Sequence, residues 1–436
     1  MTRLTSSELS NTIIIWFTVV VISSLLFSLV PYWPTQIDKQ LPLTRENFDM
    51  RVYWQGAQWL QRGEPPYRGI IFDHEIKNQV VNSGGVPFVA EAYPQLAMMY
   101  FTVPALFTDN FFTYQGLFFI WNSLWFLGLL IIVRKLLKLL KKESYRLYWL
   151  LLPSFLFFTF NRYDIFPACL VLWALLMLLE KKFNWGFVLL GLSVLAKLYP
   201  LILLPIFLLY VKQNDGSLTK ALGLLAVTIL APLSVFIIWT GWLPSLAPYF
   251  IHFAQSTHAS LLSLIQPLLP TTFLKALLRN LFTLIQITIP LFLFFLLIIP
   301  NKLSRRLINE PLQIIKWIAL TILLFIIFSP FYSNQWVLWV IPLLILIIPT
   351  SFIWLILIHD LVNYIHYPMI SVFFSIIYTL DHQLITISLL TPFNALYYTA
   401  LWVHLMILLT IAGWLIKKLW KRLKLHLKPI KLSPRL

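Results

Sequence analysis

The stretch Phe112–Val133, FTYQGLFFIWNSLWFLGLLIIV, contains no charged side chain, and Arg134 and Lys135 follow it directly. A helix needs about 20 apolar residues to cross the hydrocarbon layer of a membrane. In lipid, every backbone amide must be hydrogen-bonded inside a helix or a closed barrel. Strands of a membrane barrel alternate polar and apolar residues, and this stretch does not. It therefore predicts a transmembrane helix.

The composition extends this prediction to the whole chain. Of the 436 residues, 59% are hydrophobic and 11% are charged, whereas soluble domains carry about 25% charged residues. We therefore expect an all-α, polytopic membrane bundle of about 10–12 transmembrane helices. Besides 112–133, the expected spans are 12–31, 146–160, 164–180, 185–211, 219–240, 281–300, 313–330, 335–358 and 395–416.

The net charge of +17 does not indicate nucleic-acid binding, because the basic residues gather at the ends of apolar runs. In that position they orient a membrane protein and contact lipid headgroups. The segments 134–146 and 417–436 are strongly basic, which predicts that both are cytoplasmic. The first should be a helix whose lysines extend toward the membrane surface. We expect a multi-pass protein of the cytoplasmic membrane.

One polar island, residues 32–92, interrupts the apolar runs. It holds seven of the 16 acidic residues and is nearly neutral, which places it outside the cell. A second polar stretch, 241–280, should face the same side, and the short run 93–107 should re-enter the membrane without crossing. The expected organisation is a transmembrane domain at 1–416, with these two external loops and interfacial helices, and a cytoplasmic tail at 417–436.

Asp49 leads an aromatic, amphipathic segment of the island, Asn47–Leu60. An acid at this position could simply cap a helix. However, Tyr53 follows on the same helical face, and Trp54 and Trp59 would seat the helix in the membrane interface. A carboxylate held at headgroup depth suits a general base that acts on a lipid-linked substrate.

Two further charged positions interrupt apolar sequence. Asp164, in Asn161-Arg-Tyr-Asp164, either caps the next helix and pairs with Arg162 or contacts a substrate. Lys197 lies inside the expected span 185–211, where a lysine needs a partner, a water-filled cavity or a phosphate. Alternatively, it extends to the membrane surface from a helix end before Pro200.

The chain shows no glycine-rich phosphate loop, and Cys169 is its single cysteine. A nucleotide cofactor, a disulfide and a cysteine metal site are therefore not expected. His252 and His258 are candidate substrate-binding residues. They have no neighbouring carboxylate, so they do not predict a metal site, and we expect neither a cofactor nor a metal.

Four short stretches, taken in order, resemble the GT-C superfamily of membrane glycosyltransferases. The likeness is nearest to bacterial α-mannosyltransferases that use polyprenyl-phosphate mannose. Tyr93-Pro-Gln-Leu96 differs from the usual Tyr-Pro-Pro-Leu of that family at Gln95. The four stretches are Asp49–Ala57 with Gly63–Tyr67, Tyr93–Leu96 with Pro104, Arg162–Asp164 with Lys197–Leu201, and Ser329–Tyr332 with Gln335–Pro342.

The resemblance implies an inverting transfer of a hexose, of the mannose type, from a polyprenyl phosphate to a lipid or glycan acceptor outside the cell. It implies that Asp49 is the general base and that Lys197 and Arg162 bind the leaving phosphate. The other substrate-binding residues that it implies are Tyr53, Tyr93, Asp164, Tyr199 and Gln335.

Two other functions fit a polytopic chain. A transporter or lipid flippase often shows inverted repeats and paired broken helices, and neither is evident here. A polymerase or ligase of surface polysaccharide would favour basic external loops, whereas 32–92 is nearly neutral.

Overall fold

The computed structural model describes residues 4–29, 45–64, 93–250, 260–298, 310–369 and 387–427. In these ranges, every regular element longer than one residue is helical, which confirms the all-α prediction. The helices are α1 Ser6–Leu29, α2 Arg45–Gln61, α3 Gln95–Ala105, α4 Phe111–Leu139, α5 Pro153–Asn161, α6 Ile165–Leu179, α7 Phe183–Ala196, α8 Leu204–Gln213, α9 Leu218–Thr240, α10 Trp242–Phe250, α11 Leu261–Ile265, α12 Thr272–Ile298, α13 Pro311–Ile327, α14 Val337–Ile347, α15 Trp354–Tyr364 and α16 Ile387–Leu427.

Within these ranges, five helices are long and apolar enough to cross a membrane: α1, α4, α9, α12 and α16. A sixth candidate is the pair α5 and α6, which meet at an angle of 106°. Four shorter apolar helical segments of 10–17 residues lie at 183–196, 199–213, 311–327 and 334–347. The expected 10–12 crossings remain a prediction, because that number is reached only if the shorter apolar segments also cross the membrane.

Several expected spans are divided where the backbone leaves the helical conformation. The span expected at 185–211 ends at Ala196, because Lys197 is extended (φ −163°, ψ 140°) and a 3-10 helix begins at Tyr199. Likewise, 335–358 breaks at Pro349, which has φ −60° and ψ 149°. A single apolar run therefore does not correspond to a single helix in these places.

The two arginines at the ends of the basic connection 134–146 are buried, although the lysines Lys138 and Lys141 between them are partly or fully exposed. Arg134 is buried and donates to Thr12 Oγ1 at 2.7 Å. Arg146 is 1% exposed and donates to the carbonyl oxygens of Ile345 and Ile348 at 2.9 and 2.7 Å. These guanidinium groups are part of the protein interior.

Helix α16 continues through the boundary expected at 416/417, so the first part of the basic tail is helical. Arg422, on this extension, forms an ion pair with Glu310 at 2.7 Å. Both side chains are partly exposed. The start of the tail therefore lies beside the N-terminus of α13.

Helix α2 packs along α3 through one buried face that includes Val52, Tyr53 and Ala57. These positions recur at helical spacing, as the amphipathic pattern of the segment predicts. Gln95, the first residue of α3, is buried, donates to the carbonyl of Ser245 at 2.6 Å and accepts from Tyr249 at 2.5 Å. Helix α2 of the polar island and helix α10 of the second polar stretch therefore both lie against α3.

Candidate active site

Asp49 lies in the second turn of α2, because that helix begins at Arg45. The capping interpretation of Asp49 is therefore wrong. Its Oδ2 atom forms an ion pair with an Arg162 guanidinium nitrogen at 2.8 Å. The side chain of Asp49 is 30% exposed and that of Arg162 is 5% exposed. An accessible carboxylate is thus held by a buried cation.

Arg162 occupies the break between α5 and α6. Its backbone is extended (φ −132°, ψ 150°), which ends α5. The carbonyl of Arg162 accepts a hydrogen bond from Asn122 on α4 at 3.1 Å. The guanidinium donates to the hydroxyl of Tyr367 at 3.2 Å. Backbone and side chain are therefore both fixed, and the guanidinium is directed at Asp49.

Asp164, two residues later, is fully buried and makes a second ion pair. Its Oδ1 atom lies 2.6 Å from Lys197 Nζ and accepts from the indole of Trp339 at 3.0 Å. Its Oδ2 atom has no hydrogen-bond partner among the described residues. Asp164 occupies the N-cap position of α6 but forms no side-chain cap. The alternative in which Asp164 caps α6 and pairs with Arg162 is therefore not the one that the structure shows.

Lys197 is positioned by the end of α7 and by two aromatic rings. Its Nζ atom lies 5.1 Å from the ring centre of Tyr163 and 5.0 Å from that of Trp339, a distance typical of cation–π contacts. Tyr199 stacks on Trp339 with ring centres 3.7 Å apart. The side chain of Lys197 is 18% exposed. The ammonium group is thus fixed in position and remains accessible to a ligand.

An aromatic cluster joins the two ion pairs. Tyr163 contacts Tyr53 and Tyr93 edge-on, with ring centres 5.8 and 5.4 Å apart, and Tyr53 stacks on Phe101 at 4.2 Å. Burial raises the pKa of the Tyr93 phenol, so this group stays protonated at neutral pH. The structure therefore brings together seven of the predicted residues: Asp49, Tyr53, Tyr93, Arg162, Asp164, Lys197 and Tyr199.

Three predicted residues are not placed in this cluster. Gln335 is half-buried on the 3-10 helix Asn334–Trp336, and within the described ranges it forms no hydrogen bond with the other seven. His252 and His258 lie outside the described residues. Among the residues that are described, no three His, Cys, Asp or Glu side chains form a group that could hold a metal ion.

Sequence reasoning did not assign site roles to Tyr163, Trp339 and Tyr367. Tyr163 lies between two predicted residues, and Trp339 lies in a stretch already noted for its resemblance, so both carried a signal. Tyr367 lies in a C-terminal region without a recognised motif. Its hydrogen bond to Arg162 connects residues 205 positions apart, and no local pattern reveals such a contact.

The fold and this site together define a helical membrane protein with paired acids and bases at a break between apolar helices. A family model described as glycosyltransferase family 87 matches residues 92–330, more than half of the chain. The chain belongs to glycosyltransferase family 87. No curated protein and no solved structure matches it.

Family membership makes the protein a membrane glycosyltransferase, which uses a sugar donor and an acceptor. It favours an enzyme over the transporter or flippase. The matched region includes Tyr93, Arg162, Asp164, Lys197 and Tyr199, whereas Asp49 precedes it.

Proposed function

We propose that the protein transfers a hexose, of the mannose type, from a polyprenyl-phosphate donor to a hydroxyl group of a lipid or glycan acceptor. The reaction is of the GT-C type, inverts the anomeric carbon and takes place on the extracytoplasmic side of the cytoplasmic membrane. Family membership supports the sugar transfer. The observation that carries the mechanism is the accessible Asp49 carboxylate beside the buried Arg162 guanidinium.

Asp49 is the proposed general base. Its Oδ2 atom is engaged by Arg162, and no hydrogen bond to Oδ1 occurs among the described residues. In the proposed step, Asp49 accepts the proton of the acceptor hydroxyl. The acceptor oxygen forms a bond to C1 of the sugar, and the bond from C1 to the phosphate oxygen breaks on the opposite face. Polyprenyl phosphate leaves with the bonding electron pair.

Arg162 and Lys197 are the proposed ligands of the leaving phosphate. A guanidinium carries five N–H donors, so Arg162 can bind a phosphate oxygen while it still holds Asp49 and Tyr367. Negative charge grows on the phosphate as the bond to C1 breaks, and fixed cations stabilise that charge. Asp164 and Trp339 hold Lys197 in place for this role. A lipid monophosphate donor requires no metal for this chemistry.

The sugar is proposed to lie among the aromatic residues that join the two ion pairs, with Tyr53, Tyr93 and Tyr199 contributing to its pocket. The unpaired Oδ2 atom of Asp164 is an acceptor for a sugar hydroxyl. Gln335, His252 and His258 remain predicted substrate contacts on the evidence of the sequence alone.

The test is transfer from a panel of radiolabelled polyprenyl-phosphate sugars, using membranes that contain the protein. We expect Asp49→Asn to lower the rate at least about 100-fold, because general-base catalysis contributes about 10²–10⁴-fold. Asp109→Asn is the matched control, since Asp109 is exposed on a loop after α3, and its rate should equal that of the wild type. Transfer at the wild-type rate by Asp49→Asn would contradict the role of Asp49. Labelled nucleotide sugars are assayed in parallel, and transfer from these alone would contradict the proposed donor.

A further inference from the structure

A groove between α4 and α6 lies apart from the residues assigned to sugar transfer. It encloses about 430 Å³. Trp125 packs on Phe166 and Gly128 faces Cys169, so the two helices run in the same direction along it. The residues that matter for the argument are Trp121, Trp125, Gly128, Lys135, Cys169 and Trp173.

The depth of the groove comes from Gly128. A side chain at this position would point at Cys169, whose Sγ atom lies 3.5 Å from the place of a Cβ atom. Cys169 is buried and forms the floor, whereas Trp173 is 41% exposed and forms a rim. The groove is therefore open toward lipid and apolar along most of its length.

The two ends of the groove are polar. At one end, the indole N–H of Trp121 is buried and has no hydrogen-bond partner among the described residues. At the other end is Lys135, which makes no ion pair or hydrogen bond with any residue in the described ranges. Its basic neighbours on α4 are engaged, because Arg134 donates to Thr12 and Lys138 pairs with Glu8.

The dimensions fit one hydrocarbon chain. Trp121 and Lys135 are 14 positions apart on a continuous helix, which corresponds to about 21 Å. One leaflet of the hydrocarbon layer is about 15 Å thick. A chain that starts at Lys135 would therefore follow the groove through one leaflet and beyond the middle of the membrane.

We propose that this groove binds an anionic phospholipid, with its phosphate at Lys135 and one acyl chain between α4 and α6. Charge complementarity supports this ligand. Lys135 is the basic side chain among the residues that line the groove, and it lies at the end of α4 where the basic residues cluster. Anionic headgroups are attracted to such a cluster. The phospholipid would fill the space that Gly128 leaves and would be distinct from the sugar donor.

The test uses the full chain, stripped of lipid and reconstituted with equal amounts of dioleoyl phosphatidylglycerol and dioleoyl phosphatidylcholine. After re-extraction in mild detergent, native mass spectrometry counts the lipids retained per chain. We expect the wild type to retain one phosphatidylglycerol in preference to phosphatidylcholine. Lys135→Gln should lower that preference about fivefold, and Gly128→Leu should abolish retention of both lipids.

Two controls match these variants. Lys220→Gln removes an exposed lysine elsewhere, and Gly116→Leu adds the same side chain to the same helix at a site with no atom within 4 Å. Both should retain lipid as the wild type does. Equal retention of the two phospholipids by the wild type would overturn the proposal. Undiminished preference in Lys135→Gln would also overturn it. The Lys135→Gln comparison decides the matter if Gly128→Leu does not fold.

Discussion

At the scale of single residues, the site depends on how Arg162 is held. Its side chain is 5% exposed, and its guanidinium contacts Asp49 on α2 and the hydroxyl of Tyr367 after α15. A buried charge is tolerated only when it is paired and hydrogen-bonded. The two partners therefore fix the direction of the guanidinium as well as neutralise it.

Tyr367→Phe removes one of these two partners and leaves the ring in place. We expect the KM for the polyprenyl-phosphate donor to rise about 10- to 150-fold, since a hydrogen bond to a charged group contributes about 1.5–3 kcal/mol. The unfolding temperature should change little. Steady-state kinetics of Tyr367→Phe beside Tyr398→Phe, an exposed tyrosine of α16, would check this. An unchanged KM would show that the hydroxyl does not position Arg162.

Lys197 and Asp164 allow a structural role to be separated from a chemical one. Lys197→Met leaves the buried Asp164 carboxylate unpaired, and breaking a buried pair costs about 3–5 kcal/mol. The double variant Asp164→Asn/Lys197→Met removes both charges and should recover most of the thermal stability without recovering sugar transfer. Thermal unfolding and the transfer assay, run on the same samples, measure both. Recovery of transfer in the double variant would contradict the proposed role of Lys197.

The sequence predicted these charged residues but not their pairing. A lysine inside an apolar run requires a partner, and that requirement identified Lys197. The partner, Asp164, is reached only because α5 and α6 meet at 106° and α7 ends at Ala196. The pair Asp49–Arg162 connects segments of different helices. Such geometry depends on tertiary packing, which periodicity does not encode.

At the scale of helices, the first backbone amide groups of α5 are capped by a helix that lies far away in the sequence. Leu152, at the N-cap position, provides no side-chain hydrogen bond. Instead, Asp360 of α15 accepts from the backbone N–H groups of Ser154 and Phe155, both at 2.9 Å. Asn363, one turn later, donates to Ser154 Oγ at 2.6 Å. A carboxylate at this end also complements the helix dipole.

Asp360→Ala should therefore destabilise the protein by about 2 kcal/mol, the upper part of the range for loss of a helix cap. Asp360→Asn keeps one acceptor and should lose less. Leu361→Ala is the control, because Leu361 is 46% exposed on the same helix. Thermal unfolding in detergent measures all three. A loss in Asp360→Ala no greater than that in Leu361→Ala would show that the cap is not needed.

The helices themselves were largely predictable, whereas their interruptions were not. Helices α4, α6 and α9 begin and end within a few residues of the expected spans, except that α4 extends further toward its basic end. The breaks at Lys197 and Pro349 lie inside continuous apolar sequence. Proline is tolerated in membrane helices, so its presence alone does not predict where a helix ends.

At the scale of the whole molecule, the region after residue 330 is bound into the part that the family model matches. Arg146 donates to the carbonyl oxygens of Ile345 and Ile348, at the end of α14, and to Thr350 Oγ1 at 3.1 Å. Its Nε atom also pairs with Glu143 at 3.0 Å. Together with Asp360 and Tyr367, these contacts make the C-terminal region part of the same core.

Arg146→Met keeps much of the side-chain volume but removes every donor. Two buried carbonyl groups lose their partners, at a cost of about 1–3 kcal/mol each. We therefore expect a loss of about 2–6 kcal/mol in unfolding free energy. Lys141→Met, at an exposed position of the same connection, should have little effect. Denaturant unfolding of the two variants compares them, and equal stability would show that Arg146 is dispensable to the core.

Because the chain is synthesised from its N-terminus, α5 is made well before the residue that caps it. The carboxylate of Asp360 lies 206 residues after the Ser154 amide that it binds. A ribosome that adds about 5–20 residues per second needs about 10–40 s to cover that distance. During biosynthesis, α5 therefore lacks its Asp360 cap until residue 360 has been made. A ribosome-stalled chain that ends before Asp360 would lack this cap throughout.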